Sequence, residues 1–203
     1  MEPQIRDWFA NQENANGDFY IATSGHPFTV IPPKPNTDTI VYCTKQHCIL
    51  KLVHELGSNH SFGVILRSGL PSDEDANWLC SEVGSRRLLF LGDADPSDLL
   101  IFSWLHERLP IEYGGLTDQL LVQCGVEMSD NLTIQLAEFE LAALLLVTQC
   151  LGDLTSQLGP WCSGLLSSGR KIEVEALFSF ATCTPSELEA ALLGEHQQEQ
   201  SRH

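Results

Sequence analysis

Three short apolar runs constrain this chain most: residues 39–43 (Thr-Ile-Val-Tyr-Cys), 62–66 (Phe-Gly-Val-Ile-Leu) and 88–91 (Leu-Leu-Phe-Leu). Successive side chains of a strand point to opposite faces, so runs with almost no polar alternation must be covered on both sides. Each run is followed by a stretch with helical spacing. After the first, Cys48, Ile49, Leu52, Val53 and Leu56 share one helical face, with Thr44 as the expected cap and Gly57 as the stop. After the second, residues 72–83 open with Asp73, Glu74 and Asp75, where the helix macrodipole favours negative charge. After the third, a helix is expected over 96–109, and residues 111–116 form a fourth short strand and loop. This βα repetition predicts the α/β class, with a mostly parallel, Rossmann-like sheet of four strands flanked by helices.

The rest of the chain reads as additions to that core at 38–128. Residues 1–37 form an irregular lead-in, rich in Asn and Gly at 11–18 and extended through the prolines at 31–36, with a short hairpin expected at 20–30. Trp8, Phe9, Phe19 and Tyr20 suggest that parts of it pack on the body. Residues 129–194 form a helical extension packed on the core. Within it, 134–150 is apolar on nearly every face, 152–169 is a Gly- and Ser-containing connection, and 171–180 is either helical or extended. Thr184-Pro185-Ser186-Glu187 is a capping box with Pro at the first helical position. The polar residues 195–203 are expected to be a disordered tail.

Charge narrows the function classes. The 27 acids against 11 bases give a net charge of −16, which repels a phosphate backbone, so direct nucleic-acid binding by the chain alone is disfavoured. Arg67, Arg86 and Arg87 are the candidates for contact with a phosphate or polyanion. The chain has no apolar run of about 18 residues and no secretory leader. Its seven scattered cysteines fit free thiols in a reducing, cytoplasmic setting. Cys43, His47 and Cys48 lack the spacing of a zinc motif. The histidines at 47, 54, 60 and 106 read as solvated or capping groups, and Trp78 and Trp104 as core. The segment 164–171 resembles a phosphate loop, but Arg170 stands in place of its lysine and no Ser or Thr follows.

The chemistry-bearing stretch is Gly92-Asp93-Ala94-Asp95-Pro96-Ser97-Asp98. Acids two apart on extended backbone point the same way, at the carboxyl end of a strand where open α/β sheets place their ligands. Asp93 and Asp95, with Asp98 through a water, could hold one Mg²⁺. Asp95-Pro96 is equally a good helix start, with an Asp cap and Pro at the first position. Both readings stand at this level.

Read in order, residues 40–56, 64–71, 93–96 and 111–117 resemble the Toprim domain of the topoisomerase VI A subunit and its relative, the meiotic double-strand-break protein. Lys171-Ile172-Glu173-Val174-Glu175-Ala176-Leu177 is a weaker echo of a stretch near that family's C-terminal end. The resemblance spans roughly residues 39–178. It implies a divalent-metal cage made of one Glu after the first strand and the paired acids, here Asp93 and Asp95, in the service of DNA cleavage. At the position of that Glu this sequence has Thr44, and residues 1–37 are too short for the winged-helix domain that carries the family's tyrosine, so Tyr20 is no nucleophile. The expectation is a degenerate Toprim-like protein, not competent alone, with DNA-binding and nucleophile functions supplied by a protein partner. One alternative is a non-enzymatic interaction module that kept the fold. Another is a haloacid-dehalogenase-type phosphatase, which starts from a similar Asp-x-Asp but needs a Thr or Val soon after it, a later Lys, and a further acidic pair. Downstream of the motif only Lys171 is available.

Overall fold

A computed structural model describes residues 2–16, 28–35 and 37–194 of the chain. Its main sheet has β2 (Thr39–Cys43) at the centre, flanked by β3 (Gly63–Leu66) and β4 (Arg87–Leu91), with β5 (Ile111–Tyr113) beyond β4; these four are parallel. A fifth strand, β1 (Thr29–Ile31), lies antiparallel along the edge of β3. The fold is therefore α/β with a mostly parallel sheet, one strand wider than the sequence suggests. The extra strand has two exposed residues of three and little periodicity to announce it. All four residues of β3 are buried, as are four of five in β2 and in β4. That is the two-sided burial their unbroken apolar runs require.

The helices α2 (Gln46–Leu56), α3 (Asp73–Val83) and α4 (Pro96–His106) connect the parallel strands. The link from β2 to β3 grows the sheet one way, and the link from β3 to β4 crosses back past β2. The order thus reverses between β2 and β4, and crevices at such a reversal are where open α/β sheets bind ligands.

Helix α1 (Glu2–Asn16) replaces the irregular start expected over 1–37. Its polar composition hides two residues four apart, Ile5 and Phe9, both fully buried, and the helix packs on α4 and on α6 (Glu138–Leu151). Tertiary packing here outweighs a weak intrinsic propensity. Of the hairpin expected at 20–30, residues 20–27 lie outside the described residues, as does the tail at 195–203.

After β5 and the short α5 (Asp118–Gln123), the C-terminal part is not purely helical. Strands β6 (Thr133–Gln135) and β7 (Arg170–Ile172) pair as a small antiparallel sheet around α6, α7 (Leu154–Leu158) and α8 (Pro160–Ser167). Helices α9 (Val174–Phe180) and α10 (Pro185–Leu193) close the chain, and α10 starts at the capping box read from the sequence. The segment resembling a phosphate loop includes the second half of α8, which starts at Pro160 with its first amides bound by Asp118 (Trp161 N 2.7 Å and Cys162 N 2.8 Å from the carboxylate). Trp104 is fully buried, with Arg108 stacked 3.8 Å from its ring centroid, whereas Trp78 is half-buried and stacks on Phe28. All seven cysteines are free; Cys43, Cys48, Cys124 and Cys162 are buried and Cys80 is exposed. Among the described residues no helix is long and apolar enough to cross a membrane.

Candidate functional site

Because β2 and β4 are parallel neighbours with Cys43 opposite Leu91, the residues that follow each strand emerge side by side. Thr44 and Lys45 leave β2, and Asp93, Asp95 and Asp98 follow β4. Asp95 caps α4: its Oδ1 accepts from Asp98 N at 2.8 Å, with Pro96 in the first turn. Asp98 turns back toward the sheet, where its Oδ2 accepts from Asp93 N (2.7 Å) and from the Thr44 hydroxyl (2.8 Å). That second bond explains a local departure. Thr44 was expected to cap α2, but its hydroxyl is spent on Asp98, and Lys45 takes the cap position without a side-chain bond.

The acids are compact because Gly92 lets them be. A Cβ built on Gly92 would sit 2.6 Å from Phe90 Cε1 and 2.7 Å from Asp98 Oδ2, closer than real contacts allow. Gly92→Ala is expected to destabilise the protein by about 1–3 kcal/mol through overpacking, read as a lower guanidinium midpoint with an unchanged slope. An unchanged midpoint would show that Asp98 can move aside freely.

Two lysines complete the cluster. Lys45 Nζ lies 2.8 Å from Asp93 Oδ2, whose other oxygen accepts from Val174 N at 2.7 Å. Lys171 arrives on β7, which docks beside the motif through Ala94 N donating to Ile172 O (3.1 Å). Its ammonium stands 2.8 Å from Glu140 Oε1 and 3.5 Å from both Asp95 Oδ2 and Glu173 Oε1. The chain has only four lysines, at 34, 45, 51 and 171, and two of them end on the paired acids. Sequence reasoning missed Lys45 as a site residue and met Lys171 only as the downstream lysine of the phosphatase alternative. The signal available was scarcity: a buried trio of acids requires cations, and few are on hand.

Electrostatics follow from burial. Asp93, Asp95 and Asp98 are all buried. Burial, with the neighbouring Asp95 charge added, pushes Asp98 up to about 7. Burial also raises Asp93 and Asp95, with Lys45 pulling against it at the first and Lys171 at the second. Burial works against the charge of each lysine, but Asp93 in one case and Asp95 with Glu140 in the other hold both ammonium groups above their ordinary value. Three buried carboxylates so close together share the cost of ionising, and all three are held above the ordinary carboxylate range. Around these groups is a cavity of about 490 Å³, bounded by Phe9 of α1, Ser68 and Gly69 after β3, and Ser97, whose buried hydroxyl has no partner among the described residues.

The candidate arginines are placed elsewhere. Arg67 is 2% exposed, with its guanidinium 2.7 Å from Asp75 and 4.7 Å from the Phe28 ring centroid, so it is not available to a surface polyanion. Arg87 bonds Glu112 (2.7 Å) and the Leu193 carbonyl at the end of α10 (2.6 Å). Arg86 is exposed. His60 Nδ1 lies 2.8 Å from Gly57 O, just past α2, and the exposed His106 has its Nδ1 2.9 Å from Ile111 O of β5.

The oxygens of the paired acids do not fit a Mg²⁺ ion as they stand. Both Asp93 oxygens are engaged, one Asp95 oxygen caps α4, one Asp98 oxygen accepts two bonds, and two ammonium groups stand within the cluster. Thr44, at the position of the Glu that the resemblance calls for, is 2.8 Å from Asp98 but offers a hydroxyl in place of a carboxylate. No protein-family model and no curated protein matches this chain.

Proposed function

We propose that this chain is a non-catalytic module with a Toprim-like frame, in which two lysines stand in for the divalent cation of a metal cage, and that it acts by association with a protein partner. The observation that carries this reading is the pairing of Lys45 with Asp93 (2.8 Å) and of Lys171 with Asp95 (3.5 Å). A fixed ammonium neutralises a buried carboxylate as a cation would, but it cannot polarise a phosphoryl oxygen or activate a bound water, which are what a metal contributes to catalysis. The frame is kept and the chemistry is not, since fold alone does not carry function. A partner that supplies DNA-binding and nucleophile functions is consistent with the net charge of −16. The aspartate-nucleophile phosphatase reading gains Lys171 near the acids, but Asp93 is 1% exposed with both oxygens engaged, so it presents no oxygen for attack.

The test is calorimetric titration with Mg²⁺ and Mn²⁺. The native protein is expected to show no saturable binding at millimolar metal that depends on Asp93 or Asp95. Lys45→Ala is expected to gain a site, because Asp93 then lacks its cation, and adding Asp93→Asn is expected to abolish it. Saturable binding by the native protein that vanishes in Asp93→Asn/Asp95→Asn would overturn the proposal and restore metal-dependent phosphodiester chemistry as the working reading.

A further inference from the structure

We infer that His47, Cys48 and Glu175 form a binding site for a transition-metal dication of the Zn²⁺ class, with a fourth position open to water. The two residues at the start of α2 and the one at the start of α9 bring an imidazole nitrogen, a thiol sulfur and a carboxylate oxygen within 4.8 Å of one another. Ligands held about 2.0–2.3 Å from one ion stand no more than about 4.6 Å apart, so a small closure of these side chains brings all three into range. His47 Nε2 already lies 3.1 Å from Glu175 Oε1. The other carboxylate oxygen, Glu175 Oε2, is buried and has no hydrogen-bond partner among the described residues. A buried oxygen without a donor is costly, and a bound cation is one of the few ways to satisfy it.

The donor set decides the class of metal. A thiolate and an imidazole select borderline and soft ions, whereas Mg²⁺ prefers an all-oxygen shell. Cys43, the other sulfur nearby, is turned away: it accepts from Lys45 N at 3.3 Å and donates to Lys45 O at 3.4 Å. Sequence spacing could not reveal this trio, since the third ligand comes from a helix about 130 residues later, through the packing of α9 on α2. Cys48 is 2% exposed, while the His47 side chain is 71% exposed, which leaves a route for the ion from solvent. On binding, Cys48 gives its proton to solvent and the metal takes the sulfur lone pair; thiolate, carboxylate and dication then sum to zero charge. Lys45 stays on Asp93, 2.8 Å away, and 3.7 Å from Glu175 Oε1. The inference is independent of whether the paired acids bind a metal.

The experiment is titration of the metal-stripped full chain with Zn²⁺ by calorimetry and with Co²⁺ by absorption. One equivalent is expected, with a thiolate-to-cobalt charge-transfer band that disappears in Cys48→Ser and persists in Cys80→Ser. His47→Gln and Glu175→Gln are each expected to weaken Zn²⁺ binding by roughly tenfold or more. The exposure of His47 makes His47→Gln safe for the fold, and its unaltered melting temperature without metal is the control; Zn²⁺ should raise that temperature in the native protein and raise it less in the variant. No saturable binding, a cobalt spectrum without the thiolate band, or ligand variants that bind as tightly as the native protein would each overturn the inference.

Discussion

Replacing Asp75 by alanine is expected to lower the unfolding free energy by about 3–5 kcal/mol, the usual cost of breaking a buried ion pair from one side. The Arg67 guanidinium is 2% exposed and 2.7 Å from Asp75 Oδ2, so the truncation removes a carboxylate from beside a buried positive charge. The same carboxylate closes the capping box of α3 by accepting from Ser72 N at 2.9 Å, so the first turn of that helix loses a bond as well. Urea unfolding at neutral pH reads the loss directly, and Asp75→Asn, which keeps an acceptor for Ser72 N, is expected to fall between the two. A loss below about 1 kcal/mol would mean that Arg67 is compensated without Asp75 in the folded protein.

The second large effect is a pH dependence that one substitution should reduce. Burial and the charge of Asp95 hold Asp98 at about 7 in the folded protein, against about 3.9 in an unfolded chain. The folded state therefore binds the extra proton between these values. Stability from this group is full below about pH 4 and is lost as pH rises through about 7. Asp98→Asn keeps an oxygen to accept from Asp93 N and Thr44 Oγ1 and carries no charge to bury. The variant is expected to show a shallower downward slope, keeping only the shares of Asp93 and Asp95, and to be more stable than the native protein at pH 8 by about 2–4 kcal/mol, with the two converging near pH 4. Denaturant midpoints at the two pH values check it. A variant less stable at pH 8 would show that the charge on Asp98 is needed by the fold.

The two residues differ in how visible they were beforehand. Asp75 stood out in the sequence as one of three acids opening a helix, but nothing local paired it with Arg67, eight residues earlier. Asp98 was visible as the third acid of the motif, with a supporting role through water. Its role in the structure is to bond Asp93 N and Thr44 while Asp95 caps its own amide. The resemblance put Thr44 at the position of the cage's missing Glu, and the parallel register of β2 and β4 brings it to 2.8 Å from Asp98. Whether the paired acids cap a helix or gather a cation was open in the sequence. In the structure Asp95 caps α4, and both acids also gather cations from the chain itself.

The strands β2, β3 and β4 and the helices after them were legible because their information is local. Unbroken apolar runs demand two-sided burial, helical spacing repeats within a dozen residues, and Ser72, Asp95 and Thr184 announce their own helix starts. Helix α1, strand β1 and the pair β6–β7 were not legible, since each is short or polar and exists through what it packs against. The same division runs through chemistry. The sequence by itself determined that three acids gather behind a strand in a strongly acidic chain. Tertiary structure alone decided that Lys45 and Lys171 neutralise two of them, that Arg67 is interior, and that Glu175 meets His47 and Cys48. Those pairings join residues from eight to about 130 positions apart, and a Coulombic or ligand contact depends on distance in space, which no local periodicity encodes.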